Sequence, residues 1–413
     1  MHYFSFKKGE LYCENVRVKD IAKKTGTPVY IYSKRTVVEH YSKIDAAFFE
    51  VDHLICYSLK ANAGMGIIKT LQQEGCGADI VSGGELYKAL KAGIAPGKIV
   101  YAGVGKTKEE MAAALKNNIF MFNLESLPEA VRLNAVAGKL KKIAEVAIRV
   151  NPDVDADTHR YITTGKKENK FGVNISKAGK VFRTVAGLKN LKVSGIHTHI
   201  GSQITNIEPY VLTLKKIIAL RQELLQAGIN ISRLNIGGGL GIIYKNETPA
   251  TPAEFAKRVL PLLKPLEVKV ILEPGRFIVG NAGILVSEVQ YIKKGEVKNY
   301  IILDAGMNDL IRPSLYEAFH AIVAVKKTAG SFKADVVGPI CESGDFFGKG
   351  RILPKVKEGD LIAVMSAGAY GFSMASNYNC RRKPAEVLVT GSKFKVVRRR
   401  ESFEDLLKGE VYK

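Results

Sequence analysis

Across residues 34–281 the chain repeats one pattern: a short apolar run, then a longer stretch that mixes apolar and charged positions. The runs fall at 54–59, 78–82, 98–102, 119–124, 145–150, 193–200, 234–237 and 268–272. Runs this short, with little polar alternation, predict strands covered on both faces, as in a parallel sheet. Between them the spacing suits helices, for example at 84–92, 108–116, 127–140 and 210–227. Eight strands alternating with helices predict a (β/α)8 barrel, whose usual length is about 250 residues. A doubly wound open sheet is the alternative, but no Gly-x-Gly-x-x-Gly opens a helix here.

Beyond residue 281 the pattern changes. Short strands are predicted at 284–289, 300–303, 361–364 and 386–389, separated by Gly and Pro turns. This predicts a mostly β C-terminal domain, which strand-like residues near the N-terminus, such as 28–32, join. The expected division is a barrel over 34–281 and a β-domain made of 1–33 and 282–413. No internal repeat or low-complexity linker interrupts either part.

Composition narrows the class. A chain of 413 residues exceeds one ordinary core, which again predicts two domains. Five cysteines, odd in number and without a Cys-x-x-Cys pair, argue against a disulfide framework or a zinc site. They suit a reducing, cytoplasmic setting. The first eight residues hold no apolar signal core. The uncharged run 361–380 carries too many Gly, Ser and Asn residues to span a bilayer, so no membrane partner is expected. The formal charge of +22 raises nucleic-acid binding. Its Lys and Arg residues are scattered, however, with one dense cluster at 393–400, so a solvated basic surface is expected instead. Such a field would also attract phosphorylated or dicarboxylate small molecules.

Functional groups of a barrel gather where its strands end, and reactive residues recur there. Lys60 follows the first strand within Tyr57-Ser58-Leu59-Lys60-Ala61-Asn62, and Asp79 lies in the second. Arg149 ends the fifth. His199, Gly201 and Ser202 end the sixth, and Gly237-Gly238-Gly239 the seventh. Glu273, Gly275 and Arg276 follow the eighth. A lysine at the end of a buried strand is poorly hydrated, which favours the neutral amine that Schiff-base chemistry needs. Taken alone it is an ordinary strand-end lysine. The glycine run allows close backbone approach to a phosphate, to which Ser202 can add a hydroxyl; otherwise it is a flexible turn. Glu273 can hold a ring nitrogen protonated, as the electron sink of a pyridoxal cofactor requires; the plainer alternative is an ion pair with Arg276. His199 can stack on an aromatic ring, or be a core histidine. The pair His197-x-His199 suggests a metal, but no third ligand lies near it in sequence, and none is expected.

Together these stretches resemble the fold-type III pyridoxal-phosphate decarboxylases, most closely the branch acting on diaminopimelate. The likeness covers nearly the whole chain. It includes 57–62, 197–203, 237–239, Glu273-Pro274-Gly275-Arg276, His159–Gly165 with Lys170-Phe171-Gly172, 312–316, 341–345 and 368–371, without departure at these motifs. The resemblance implies pyridoxal 5'-phosphate as cofactor and decarboxylation of meso-2,6-diaminopimelate to L-lysine and CO2, the last step of lysine biosynthesis. It implies a head-to-tail homodimer with shared active sites. Lys60 and Cys341 would be catalytic, with the partner subunit's Cys341 as proton donor. Cofactor contacts would come from Lys60, Asp79, Arg149, His199, Ser202, Gly238, Gly239, Glu273, Pro274, Gly275, Arg276 and Tyr370. Substrate contacts would come from Arg276, Arg312, Tyr316, Glu342 and Tyr370. A guanidinium such as Arg312 suits the distal carboxylate as a bidentate partner, and Glu342 the ammonium. The rivals are decarboxylases of ornithine, arginine or carboxynorspermidine, and an amino-acid racemase on the same barrel. Arg312-x-x-x-Tyr316 speaks against ornithine, and Glu273 against a racemase.

Overall fold

The computed structural model describes residues 2–155 and 170–411. The chain divides into two compact units. One comprises His40–Ile242 and Thr248–Phe277; the other comprises Met1–Glu39, Ile243–Glu247 and Ile278–Lys413.

The first unit is a closed parallel barrel. Its strands are β1 (His53–Ser58), β2 (Gly77–Ile80), β3 (Ile99–Tyr101), β4 (Met121–Leu124), β5 (Ala144–Asn151), β6 (Leu191–His197), β7 (Arg233–Asn235) and β8 (Lys269–Leu272). Each pairs in parallel with its neighbours in sequence, and β8 returns to β1 with Ile271 opposite Leu54. The apolar runs face inward and outward alike. Cys56, Val100, Met121, Ala147 and Ile271 pack as one interior cluster, while neighbouring residues such as Ile55 and Ile148 are also buried.

Helix starts carry their own sequence signals. Ser82, Thr107, Ser126 and Thr251 each accept a backbone N–H three residues on, and Thr107 and Thr251 form capping boxes with Glu110 and Glu254. Each satisfies a donor that the helix cannot pair internally.

Two differences from the expected pattern bear on function. A short strand, Val173–Asn174, pairs in parallel with the last two residues of β5, Val150 and Asn151. Also, β2, β6 and β7 stop two or three residues before their apolar runs do. Side chains take the next amides: Val81 N–H donates to Glu85 Oε2 at 2.8 Å, and Gly237 N–H donates to Asn235 Oδ1 at 3.0 Å. The residues after the strands therefore turn into loops at the barrel end.

In the second unit, Val29–Ser33 runs antiparallel to Gly283–Lys294 and parallel to Ala385–Thr390. The long strand Gly283–Lys294 also pairs with Leu361–Val364 and Asn299–Leu303. Ile31, Ile284, Val286, Ala363 and Val387 fill its core. A small sheet, Phe4–Lys7 with Glu10–Cys13 and Val16–Arg17, packs Phe4, Leu11 and Val16 into that core.

Candidate active site

The C-terminal ends of the barrel strands carry most of the expected residues. Lys60 sits in the single turn Leu59–Ala61 after β1. Its side chain is 38% exposed, and Nζ lies 3.0 Å from Asp79 Oδ2. The expected desolvated amine is therefore corrected: the ammonium is ion-paired. Asp79 is fully buried and stands opposite Ser58 in the β1–β2 register. Ser58 Oγ donates to the same oxygen at 2.6 Å. Asp79 Oδ1 is buried without a hydrogen-bond partner among the described residues. Burial and the nearby Glu273 charge push Asp79 up, while Lys60 and Ser58 pull it back.

Glu273 follows β8 and is buried in a polar cage. Its Oε1 accepts from Asn123 Nδ2 at 3.0 Å and from Asn235 Nδ2 at 2.6 Å. Its Oε2 lies 3.2 Å from His197 Nε2. Burial alone would raise this carboxyl, but His197, Lys60 and the Asn235 amide hold it well below the usual carboxylate range. An anion accepting several donors is favoured over its protonated form even away from water. The alternative pairing with Arg276 is not what the structure holds: Arg276 Nη2 lies 3.0 Å from Ser202 Oγ.

The glycine run is tied to both neighbours. A side chain at Gly238 would place its Cβ 2.1 Å from the Glu273 carbonyl oxygen, and one at Gly239 would meet Gly201 O at 2.5 Å. Gly237 and Gly239 also have positive φ, 70° and 108°, a region that side chains disfavour. Gly238 N–H donates to His199 Nδ1 at 3.2 Å, so that nitrogen carries no proton. Burial, with the Arg149 and Lys60 charges nearby, holds His199 well below the ordinary histidine range. Gly275 packs where a Cβ would meet Ala61 and Ser58, each at 3.1 Å. The turn holding Pro274 and Gly275 is thus bound to the Lys60 turn, and Ser58 N–H donates to Pro274 O at 3.0 Å. Arg149 is buried; its Nη1 pairs with Glu125 Oε1 at 2.8 Å, and its guanidinium covers the Phe171 ring at 4.7 Å. Glu125 also accepts from Gly172 N–H at 2.8 Å, which joins the 170–172 motif to Arg149. The His159–Gly165 stretch lies outside the described residues.

The remaining candidates lie in the other unit. Arg312 and Tyr316 bound the short helix Arg312–Tyr316, with Arg312 buried and Tyr316 half-buried. Cys341 and Glu342 are exposed. Cys341 N–H donates to Asn379 Oδ1 at 3.2 Å, and Tyr378 Oη donates to Glu342 Oε2 at 3.0 Å. Their loop is built on buried Asp345, whose carboxylate accepts the amides of Met307 and Ile340, each at 2.6 Å. Tyr370 is half-buried with φ of 55°.

Sequence reasoning gave no part to Asn123, Asn235 or Asp345, and read His197 only as half of a metal pair. The two asparagines carried a signal: each is a polar residue near the end of an apolar barrel strand. No group of three or more His, Cys, Asp or Glu side chains among the described residues is arranged to hold a metal ion. No helix among them is long and apolar enough to cross a membrane.

Comparison with known proteins is consistent along the chain. Residues 34–280 match the family model described as pyridoxal-dependent decarboxylase, pyridoxal binding domain. The chain is 51% identical over 405 residues to a diaminopimelate decarboxylase from Aquifex aeolicus, covering 97% of this chain and 96% of that one. A crystal structure of diaminopimelate decarboxylase from M. jannaschii in co-complex with L-lysine matches with a TM-score of 0.95. Its identity is 38%, and 99% of this chain and 98% of that chain are covered. The enzyme of the same name from Helicobacter pylori, also complexed with L-lysine, gives 0.92 at 42% identity, covering 94% and 98%.

Proposed function

The chain belongs to the pyridoxal-dependent decarboxylases, and from that membership we infer that it converts meso-2,6-diaminopimelate to L-lysine and CO2, the last step of lysine biosynthesis. The observation that carries the reaction class is Glu273, a buried carboxylate kept ionised by Asn123, Asn235 and His197. A cation in its place would limit carbanion stabilisation and suit a racemase.

Pyridoxal 5'-phosphate is the cofactor, and the barrel end fits it. No Cβ fits at Gly238 or Gly239, so the run after β7 stays bare backbone, which a phosphate can approach closely. Ser202 and Arg276 stand together as further phosphate donors, as expected for a dianion. The buried, unpartnered Asp79 Oδ1 marks a polar position that a ligand would satisfy. We assign Gly238, Gly239, Ser202, Gly275 and Arg276 to the phosphate end, and Glu273 to the ring nitrogen. Lys60 is assigned to the aldehyde, with Asp79, Arg149, His199, Pro274 and Tyr370 completing the cofactor set. When bound, the cofactor supplies a protonated ring that delocalises the electron pair left by departing CO2.

The chain's own residues divide the remaining work. Glu273 keeps the ring nitrogen protonated. Lys60 Nζ would hold the cofactor's aldehyde, and Asp79, 3.0 Å from it, would orient that nitrogen. Arg312 is assigned the distal carboxylate, Tyr316 and Arg276 are assigned as further substrate contacts, and Glu342 takes the distal ammonium. Cys341 delivers a proton to the α-carbon. We propose that it does so across a head-to-tail homodimer, so that each site uses the partner subunit's Cys341. Exposure of both Cys341 and Glu342 on a single chain supports this. In this reading the barrel, 34–281, carries the cofactor, and the β-domain, 1–33 and 282–413, brings substrate and interface residues. The five cysteines are unpaired, which supports a reducing, cytoplasmic setting.

The test is direct. Purified protein with pyridoxal phosphate is given meso-diaminopimelate, ornithine, arginine or carboxynorspermidine in separate reactions, and CO2 and product are measured. L-Lysine from meso-diaminopimelate is expected. Faster CO2 release from a substrate lacking the distal carboxylate would overturn the substrate assignment.

A further inference from the structure

Arg312 is a buried guanidinium in a helix of only five residues. Such a group cannot shed its proton, and its planar fork is useful only if its orientation is set. Two of its contacts bear on that orientation. Arg312 Nη1 lies 2.9 Å from His320 Nε2, and the guanidinium carbon lies 4.8 Å from the centre of the Tyr244 ring.

His320 is itself fixed. It is fully buried, and its Nδ1 lies 2.8 Å from the Met365 carbonyl oxygen. A carbonyl oxygen only accepts, so Nδ1 carries the proton. A guanidinium only donates, so Nε2 presents a lone pair. The two neighbours thus select one neutral tautomer, Nδ1–H. Tyr244 braces the pair: its ring meets the imidazole edge-on, with centroids 5.3 Å apart and planes at 80°. The imidazole fixes rotation of the fork in its plane, and the phenol ring fixes the plane. Both contacts orient the guanidinium.

We propose that His320 is a positioning residue for substrate specificity: by accepting from Arg312 Nη1 in its Nδ1–H form, it aims the guanidinium at the distal carboxylate of the substrate, with Tyr244 as the supporting face. The proposal rests on the reading of Arg312 as the carboxylate reader. That carboxylate is untouched by bond cleavage and survives in the product. Misaiming the fork therefore weakens ground state and transition state alike, which raises KM and spares kcat.

The experiment uses holoenzyme and the ligand pair L-lysine and cadaverine, which differ by the carboxylate alone. Affinities are measured by calorimetry, alongside kcat and KM for meso-diaminopimelate. His320→Leu is expected to raise KM by roughly ten- to a hundredfold, the scale of one hydrogen bond to a charged group, with kcat changed by less than about threefold. The preference for L-lysine over cadaverine should fall by the same factor. His320→Gln, whose carbonyl oxygen can accept from Arg312, should restore most of both. Should His320→Leu not fold, His320→Gln and Tyr244→Leu carry the test: the first keeps the preference, and the second loses part of it. A wild-type enzyme that prefers L-lysine, with a His320→Leu variant that prefers it equally, overturns the role of His320. Equal behaviour of His320→Leu and His320→Gln overturns the acceptor argument. A wild type indifferent to the carboxylate overturns the reading of Arg312 on which the proposal stands.

Discussion

Glu273→Gln is a clean probe of the barrel site because the cage can keep its shape. Both asparagine amides donate to one oxygen, Oε1, and a glutamine carbonyl can accept both. The new amide then takes the Oε2 position, 3.2 Å from His197 Nε2, and the imidazole satisfies it by presenting a lone pair there. Hydrogen bonds are retained, and what is lost is one buried negative charge. A carboxylate in contact with a cation commonly moves its pKa by one to three units. Each unit is worth about 1.4 kcal/mol, or tenfold. The ring nitrogen that Glu273 serves should hold its proton less firmly by that amount, and kcat should fall by roughly ten- to a thousandfold. Cofactor content should stay near one per chain, because the phosphate and aldehyde contacts lie elsewhere. The assay is CO2 release from saturating meso-diaminopimelate, with cofactor occupancy read from absorbance. A variant with full occupancy and kcat within threefold of wild type would refute the argument and leave Glu273 a structural residue.

Asp79→Asn should keep cofactor binding and lose less kcat than Glu273→Gln, about tenfold or less, since a carbonyl can still accept from Ser58 and Lys60; a larger loss than at Glu273 would reverse the assignment of the two carboxylates. Lys60→Ala and Cys341→Ala should each be nearly inactive, yet recover about a quarter of wild-type activity after subunit exchange, because half of random dimers are mixed and each has one intact site. No recovery despite demonstrated exchange would place both residues in one chain's site. Asp309, pushed up from 3.8 to about 7 by burial, holds its proton more tightly folded than unfolded, so it costs stability as pH rises from about 4 to about 7. Asp309→Asn should remove that loss, worth up to ~4 kcal/mol for about three units; denaturant unfolding at pH 4.5 and 8 would show parallel wild-type and variant changes if this is wrong.

The barrel was legible because parallel strands covered on both faces must be apolar throughout, and eight such runs alternating with helices suit closure into a barrel. Its functional end was legible too, since Lys60, His199, Gly237-Gly238-Gly239 and Glu273 all stand at or just past the ends of those runs. What the linear chain concealed was pairing across strands. The Lys60 environment was misread because its partner comes from β2, in a register that sets Asp79 opposite Ser58. The neighbours of Glu273 come from β4, β6 and β7, and no local spacing records that convergence. The support of Arg312 by His320 was hidden for a similar reason: the tautomer depends on the carbonyl of Met365, 45 residues further on.

The two buried carboxylates of the barrel end are pushed in opposite directions, and that opposition orders their roles. Each raises the other, since two anions in a poorly hydrated space repel. Glu273 wins the charge because two asparagine amides donate to it and the His197 imidazole and the Lys60 charge lie near it. Asp79 has the Ser58 hydroxyl and the Lys60 ammonium, and its balance still lies upward. Its ionisation thus leans on Lys60 Nζ, 3.0 Å away, the nitrogen that would hold the cofactor's aldehyde. Of the two, Asp79 is therefore the carboxyl that loses its charge more readily, and Glu273 the one that holds its anion. A site with a single carboxylate would have to trade its ring-nitrogen anion against the changing charge on the lysine. With two, separated in affinity by their hydrogen-bond partners, the charge at the ring is insulated from the charge at Lys60.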